Sequence, residues 1–271
     1  MAEARNPAGL AGPEEDTIIK MVGLKKSFGP HTVLRGVDLD VPRGRVTCII
    51  GRSGEGKSVL IKHVLGLIEP DAGDVLVDGE SMIHCSQRER RRRLRRFGML
   101  FQNGALFDSM SAFDNVAFPL RESGQKMSRK ELAERVEAKL EQVGLQGVGA
   151  KYPGQLSGGQ RKRVGLARAI ALDPEILLYD EPTTGLDPVR THAVDEMILN
   201  TARDLNITSV VITHDMQAVH EIADVVAMLY GGVIHVRCDA ATLRDHPSEV
   251  VQSFLHGRPM ADASTGQLVQ D

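Results

Sequence analysis

The chain has 271 residues, a formal net charge of −3 and 42% hydrophobic residues, so it can bury a sizeable core as one large domain or two small ones. The charge balance supplies no global field towards nucleic acid, and the absence of tryptophan with few aromatics argues against a base-stacking platform. No run approaches the roughly 18 consecutive apolar residues of a spanning helix, residues 1–16 hold no apolar h-region of a secretory signal, and Cys48, Cys85 and Cys238 lie far apart with no C-x-x-C pair, as suits reduced thiols.

In chain order, residues 1–16 are rich in Ala, Gly, Pro and Glu and read as a disordered leader. Thr17–Leu24 reads as a strand, Ser27–Pro30 as a turn carrying the exposed-looking Phe28, and His31–Val41 as a second strand, alternating through Val33, Arg35, Val37, Leu39 and Val41. Pro42-Arg43-Gly44 turns the chain into Val46–Ile50, a β-branched apolar strand in which Cys48 reads as a small buried hydrophobe. Next stand Gly51, Arg52, Ser53, Gly54, Glu55, Gly56, Lys57 and Ser58, then an apolar helix from Val59 to Leu67.

Val75–Val77 is a short strand. Arg88–Arg96 packs seven arginines around one glutamate and one leucine. It reads first as a solvated short helix, with a patch facing anionic lipid headgroups, nucleotide or a partner as the alternative. Phe97–Gln102 returns to strand, and from residue 103 the pattern turns helical: Ala112–Leu120, then Ser128–Val143 opened by a capping box of Ser128 and Glu131, then Gly158–Ala171. Strand Ile176–Tyr179, helix Val189–Asn206, strand Thr208–Ile212, helix Met216–Ala223 and strands Val225–Tyr230 and Val233–Val236 follow, and the stretch after Gly257 is weakly patterned. This order predicts an α/β core interrupted by a helical insertion over about residues 103–163.

The chemistry begins at Gly51–Ser58, which fits the P-loop pattern G-x-x-x-x-G-K-[ST] between a strand and a helix. The glycines let successive N–H groups turn inward onto phosphate oxygens, and the helix N-terminus adds partial positive charge beneath them. Lys57 reaches the β- and γ-phosphates in such a loop, and the Ser58 hydroxyl ligates Mg²⁺. Asp180 and Glu181 close an apolar strand, a Walker-B arrangement: Asp180 holds the metal and Glu181 polarises the attacking water. Ser157, Gly158, Gly159 and Gln160 open a helix and form a second phosphate cradle. One chain with two cradles makes sense if the second serves another subunit's nucleotide.

These motifs together resemble the nucleotide-binding subunit of an ATP-binding-cassette transporter, over about residues 17–240. Leu156–Gln160 reads as the family signature LSGGQ, Gln102 stands at the Q-loop, Thr184–Asp187 resembles the D-loop, His214 the switch histidine, and Phe28, 23 residues before Gly51, the adenine-stacking aromatic. A histidine ending a strand is ordinarily a plain polar residue, but Val210–Thr213 before it and Asp215 after it favour the switch reading. The resemblance implies a P-loop NTPase core with a RecA-like mixed sheet, an antiparallel β subdomain and an inserted helical subdomain. It also implies ATP and Mg²⁺ as cofactors, with Ser58, Gln102 and Asp180 at the metal and Glu181, His214, Lys57 and Gln102 in catalysis. Two chains would pair head to tail, so that Ser157, Gly158, Gly159, Gln160 and Asp187 act on the partner's nucleotide. Three positions depart from the pattern: Glu55 puts a carboxylate beside phosphates, where it repels unless it points outward; Val59 replaces a hydroxyl; and Phe28 lacks the hydroxyl of tyrosine.

Gly104–Phe107 (GALF), Phe113–Glu122 (FDNVAFPLRE) and the run after the P-loop are similar to the ATPases of MCE-linked lipid transporters, such as the Mla phospholipid system. That resemblance implies a membrane permease and an MCE-domain protein as partners, the cytoplasmic face of a bacterial inner membrane as the location, no nucleic acid, and a tail over residues 257–271 that can clasp the partner ATPase. Leu106, Phe107, Phe113 and Phe118 read either as core of the helical arm or as the groove for a permease helix. An importer ATPase for a small polar solute is the near alternative and a soluble ABC ATPase a more distant one. A kinase or GTPase is disfavoured, since LSGGQ has no role there and no N-K-x-D appears.

Overall fold

A computed structural model of the chain describes residues 16–101, 104–261 and 268–269. The leader before residue 16, the Q-loop residue Gln102 and most of the tail lie outside the described residues. Strands β1 (Thr17–Phe28) and β2 (His31–Pro42) form an antiparallel hairpin that joins β4 (Ala72–Val77) and β5 (Glu80–Ser81) in a four-stranded sheet ordered β2-β1-β4-β5. β1 runs four residues further than the apolar pattern predicts. Lys25, Lys26 and Ser27 are held extended by pairing with Arg35, Leu34 and Thr32, so cross-strand bonds override their polar composition.

The second sheet has six strands ordered β10-β9-β3-β8-β7-β6: β3 (Val46–Ile50), β6 (Phe97–Phe101), β7 (Ile176–Asp180), β8 (Thr208–Ile212), β9 (Val225–Tyr230) and β10 (Val233–Asp239). It is parallel apart from β10, which pairs antiparallel with β9. β3 is buried at every position, which is why it reads as an unbroken apolar run. Alternate strand residues feed two cores. Ile49, Leu178 and Ile212 face α1 (Lys57–Val64) and the antiparallel sheet; Cys48, Tyr179 and Val211 face the helices that follow β6. Leu60, Ile61 and Val64 seal α1 between the two sheets, each burial stabilising by about 1.5–3 kcal/mol.

α2 (Gln87–Leu94) and α4 (Arg129–Gln142) both start on capping boxes, Ser86 with Glu89 and Ser128 with Glu131. α3 (Ala112–Glu122) starts on Ser111, and α5 (Gly158–Ala169) on a third box of Ser157 and Gln160. α6 (Pro188–Asp204) is capped by Asp187 with proline in its first turn, and α7 (Met216–Ile222) by Asp215. The sequence pattern misses α8 (Ala240–Leu243) and α9 (Glu249–Leu255), which are too short for periodicity to emerge. Past Gly257, where the pattern is weak, β11 (Met260–Ala261) pairs antiparallel with β12 (Leu268–Val269). Among the described residues no helix is long and apolar enough to cross a membrane.

Candidate functional site at the carboxyl edge of the parallel sheet

In a parallel sheet all strands end on one edge, and here three such ends converge. Asp180 of β7 registers with Ile212 of β8, Glu181 N–H donates to the Ile212 carbonyl at 2.9 Å, and Thr213 N–H reaches the Ile49 carbonyl of β3 at 3.3 Å. The P-loop, the acidic pair and His214 therefore emerge side by side, where α/β sheets bind ligands.

The loop from Gly51 to Gly56 is fixed by close contacts. Gly56 has φ +101°, and a Cβ there would fall 2.6 Å from Val33 Cγ1; one on Gly51 would fall 2.4 Å from the Leu229 carbonyl oxygen. Only glycine fits either position. Lys57 is buried and its Nζ donates to the carbonyls of Gly51 at 2.7 Å and Arg52 at 2.8 Å, bracing the loop. Burial lowers its pKa, against the attraction of Glu181, Glu55 and Asp180. Glu55 resolves the problem its charge poses: its Oε2 accepts from the Gly231 N–H at 2.9 Å, tying the P-loop to the β9–β10 turn. Val59 packs its side chain against the core beside α1.

Ser58, Ser53 and Gly54 are exposed, and Ser58 Oγ lies 3.2 Å from Asp180 Oδ1. A hydroxyl and a carboxylate are hard oxygen donors, and among the described residues no cluster of three or more His, Cys, Asp or Glu could hold a metal alone. That set fits Mg²⁺, which is bound by one or two protein ligands together with phosphate oxygens and water. Burial pushes the Asp180 carboxyl up, with the Ser58 bond pulling it back.

Glu181 sits at φ +48°, an uncommon conformation for a residue with a side chain, which the turn to Pro182 holds in place. Its Oε2 accepts from Thr184 Oγ1 at 2.7 Å and lies 3.2 Å from His214 Nδ1. Burial raises this carboxyl, but Thr184 and the His214 ring more than offset it, so its pKa lies below the ordinary glutamate value. Glu181 is thus a carboxylate with its orientation fixed on two sides.

Phe28 is half exposed at the tip of the β1–β2 hairpin, with Lys26 Nζ 5.6 Å from its ring centroid. It pairs with His31, two residues before the Val33 that covers Gly56. The hairpin thus carries the aromatic to the rim of the P-loop.

Ser157, Gly158 and Gly159 are exposed, while Ser157 and Gln160 exchange bonds at 3.2 and 3.0 Å. The N–H groups of Gly158 and Gly159 have no acceptor within the helix. They stand with β6, since Gly104 packs on Arg161, whereas the P-loop follows β3. β8 and β7 lie between those strands, an offset of about 14 Å at normal strand spacing. The two cradles of one chain therefore do not close on a single phosphate. Asp187 caps α6 through the Arg190 N–H at 3.1 Å and pairs with the Arg190 side chain at 3.2 Å.

Three contributors carry no motif. Lys162, one turn into α5, is buried and donates to the Pro182 carbonyl beside Glu181. Asn115, fully buried, donates to the carbonyls of Phe107, Met110 and Ser111 at 3.2, 3.1 and 3.0 Å and accepts from the Phe107 N–H at 2.9 Å. Arg168 holds the carbonyls of Gly104 and Ala105 at 2.8 and 2.9 Å and stacks over Phe107. Together Asn115 and Arg168 tie down the segment after the Q-loop. Its Phe107 meets Phe118 at 5.1 Å between centroids, and both rings stay partly exposed. Leu106 and Phe113 pack on the core instead. A buried asparagine in an apolar helix is the one signal in the sequence that could have found this anchor.

A family model described as ABC transporter matches residues 34–184. The probable ribonucleotide transport ATP-binding protein mkl of Mycobacterium leprae is 42% identical over 94% of this chain and 72% of its own length. The intermembrane phospholipid transport system ATP-binding protein MlaF of Escherichia coli K12 is 39% identical over 90% of this chain and 91% of its own. Among solved structures, cbiO1 of Clostridium perfringens, part of the ABC transporter complex cbiONQ, superposes with a TM-score of 0.78 at 28% identity, covering 89% of this chain and 96% of that one. A dimeric ATP-binding cassette, MJ0796, in a post-hydrolysis state bound to ADP and Pi, gives 0.73 at 28% identity over 82% and 98% of the two chains. Motif order, sheet topology and these matches agree, and the chain belongs to the ABC transporter family as an ATP-binding cassette.

Proposed function

We propose that this chain hydrolyses ATP to drive phospholipid movement between membranes through a partner permease and an MCE-domain protein. The observation that carries the ATPase reading is the convergence of Lys57, Ser58, Asp180, Glu181 and His214 on one sheet edge, while the exposed signature glycines stand to one side of it, with β6. Two copies pair head to tail, each offering Ser157, Gly158, Gly159, Gln160 and Asp187 to the nucleotide on the other's P-loop. A dimeric cassette among the similar structures supports this. Phe28 stacks on the base. Lys57 exchanges its loop carbonyls for the β- and γ-phosphates, Ser58 and Asp180 hold Mg²⁺, and Glu181 takes the proton of the attacking water. His214 positions the γ-phosphate, and Gln102 links phosphate and metal to the helical arm.

The lipid assignment is supported by the Escherichia coli relative named as a phospholipid transport protein, which matches nearly end to end. The exposed pair Phe107 and Phe118 beside the Q-loop offers a docking surface to a permease helix. With such partners the chain would work on the cytoplasmic face of a bacterial inner membrane. A small polar solute is the competing cargo, favoured by the name of the mycobacterial relatives.

The test is purification of the Glu181→Gln chain from native membranes in mild detergent. A co-purifying permease with an MCE-domain protein and phospholipid supports the reading, whereas a permease with a soluble solute-binding protein replaces the cargo. Lys57→Ala should abolish turnover; a normal ATPase rate there would refute the site itself.

A further inference from the structure

The seven arginines of Arg88–Arg96 divide into two sets. Arg90, Arg93 and Arg96 recur every third residue and turn inward. Arg90 donates to the carbonyls of Met82 and Ile83 at 3.0 and 3.2 Å; Arg93 reaches Glu80 at 2.9 Å and the Ser81 carbonyl. Arg96 grips both oxygens of Glu175 at 2.9 and 2.7 Å and also reaches Asp78. These bonds suffice to fix α2 against the fold.

The other four, Arg88, Arg91, Arg92 and Arg95, fall at i, i+3, i+4 and i+7 and are all exposed, so they form one stripe. Arg92 makes a long contact with Glu80 at 3.4 Å and keeps 71% of its side chain exposed. Among the described residues, Arg88, Arg91 and Arg95 have no hydrogen-bond or acidic partner. Glu89, the only acid on the helix, is taken up by the cap, accepting from Ser86 N–H and Oγ at 2.8 and 2.6 Å. Leu94 packs inward. The stripe is therefore purely guanidinium, positive in a chain of net charge −3.

We infer that this stripe docks on the phosphate headgroups of an anionic bilayer. Four exposed guanidinium charges attract the phosphates of an anionic surface, and a cluster of four basic residues without an apolar edge suits a flat polyanionic surface and not insertion or a hydrophobic groove. The inference rests on the reading that the chain works against a membrane permease. α2 leads into the amino end of β6, opposite the edge that carries Asp180 and the P-loop, so lipid contact leaves the nucleotide site open.

The experiment sediments the full chain with vesicles of phosphatidylcholine alone and of phosphatidylcholine mixed with phosphatidylglycerol. Binding is expected only to the anionic vesicles, weakening as salt screens it. The triple variant Arg88→Gln, Arg91→Gln, Arg95→Gln should bind them roughly a hundredfold more weakly, with its ATPase rate in solution unchanged. The matching triple lysine variant keeps the charge and should keep the binding. Equal binding to neutral vesicles, normal binding by the glutamine variant or loss of binding by the lysine variant each overturns the inference. So does release by millimolar inorganic phosphate at constant ionic strength, which assigns the stripe to small anions. If the glutamine variant binds vesicles normally but loses its permease, the stripe is a protein interface. Vesicle binding is read without permease or turnover, so its failure leaves the transport reading standing.

Discussion

The buried ammonium of Lys162, on the helix that begins with the signature glycines, donates to the carbonyl of Pro182, the residue after Glu181. A single side chain thus joins the helix that starts at Gly158 to the turn that carries Glu181. Pro182 follows a residue held at φ +48°, so its carbonyl marks where the strained turn is anchored. Burial lowers the Lys162 pKa, and the nearby Asp195 opposes that. A shift of α5 would be felt directly at Glu181.

Lys162→Met should therefore leave the Pro182 carbonyl without its buried donor at a cost of about 1–3 kcal/mol in unfolding free energy. With Glu181 less well placed, kcat should fall roughly ten- to a hundredfold while KM stays near the parent value. Urea unfolding and steady-state ATPase assays read the two effects. An unchanged kcat in a destabilised variant would reduce Lys162 to a packing role.

Asp195 lies in the same buried region, 1% exposed, with both carboxyl oxygens lacking a direct hydrogen-bond partner among the described residues. Burial, reinforced by the charges of Glu221 and Asp215, pushes its pKa up to about 7, with His192 and Lys162 opposing. The unfolded chain ionises this carboxyl near pH 4, whereas the folded chain keeps its proton to about pH 7. The folded state thus binds the extra proton between those values. Its contribution is complete below pH 4 and is lost as pH rises to about 7, a swing on the order of 4 kcal/mol. Asp195→Asn should remove that slope and be more stable than the parent at neutral pH. Thermal unfolding of both chains from pH 5 to pH 8 checks it; parallel curves would sink the assignment.

The alternating and all-apolar strands were legible because burial on one or both faces writes itself into the sequence: His31–Val41, Val46–Ile50, Thr208–Ile212 and Val225–Tyr230 all stand within a residue of their expected bounds. Gly51–Ser58 and Asp180–Glu181 were legible because phosphate and metal chemistry demands fixed spacing along the chain. The contacts that support them join residues distant in sequence: Lys162 to Pro182, Glu55 to the N–H of Gly231, Arg168 to Gly104. Nothing in local composition announces such pairs. Glu55 shows the consequence, since a carboxylate that looks repulsive in the motif proves to be a tether.

Phe28 offers a test that separates nucleotide binding from folding. It is half exposed, so truncation costs the fold little. Base–aromatic stacking is worth about 1–3 kcal/mol and tolerates any base. Phe28→Ala should weaken ATP and GTP alike, by roughly five- to a hundredfold, with the melting temperature of the nucleotide-free chain unchanged. Phe28→Tyr should bind as the parent does. Titration with a fluorescent nucleotide decides it, and parental affinity in the alanine variant would take Phe28 out of the site.

Asn115 separates hydrolysis from transmission. Its amide is fully buried and pins Phe107, Met110 and Ser111, while Arg168 secures Gly104 and Ala105 just upstream. Asn115→Ala leaves three carbonyls and the Phe107 N–H without that partner, so a loss of about 2–4 kcal/mol is expected. The loop then no longer presents Phe107 against Phe118 as one surface. The P-loop, Asp180 and Glu181 are held by other bonds, so ATP hydrolysis by the isolated chain should persist within about threefold at temperatures where it stays folded. Reconstituted with the permease proposed above, the variant should hydrolyse ATP with little cargo movement, because the proposed docking surface is no longer rigid. ATPase and lipid-transfer assays on the same proteoliposomes give the comparison. Equal loss of both activities would mean that the 104–111 segment serves the nucleotide site and not the coupling surface.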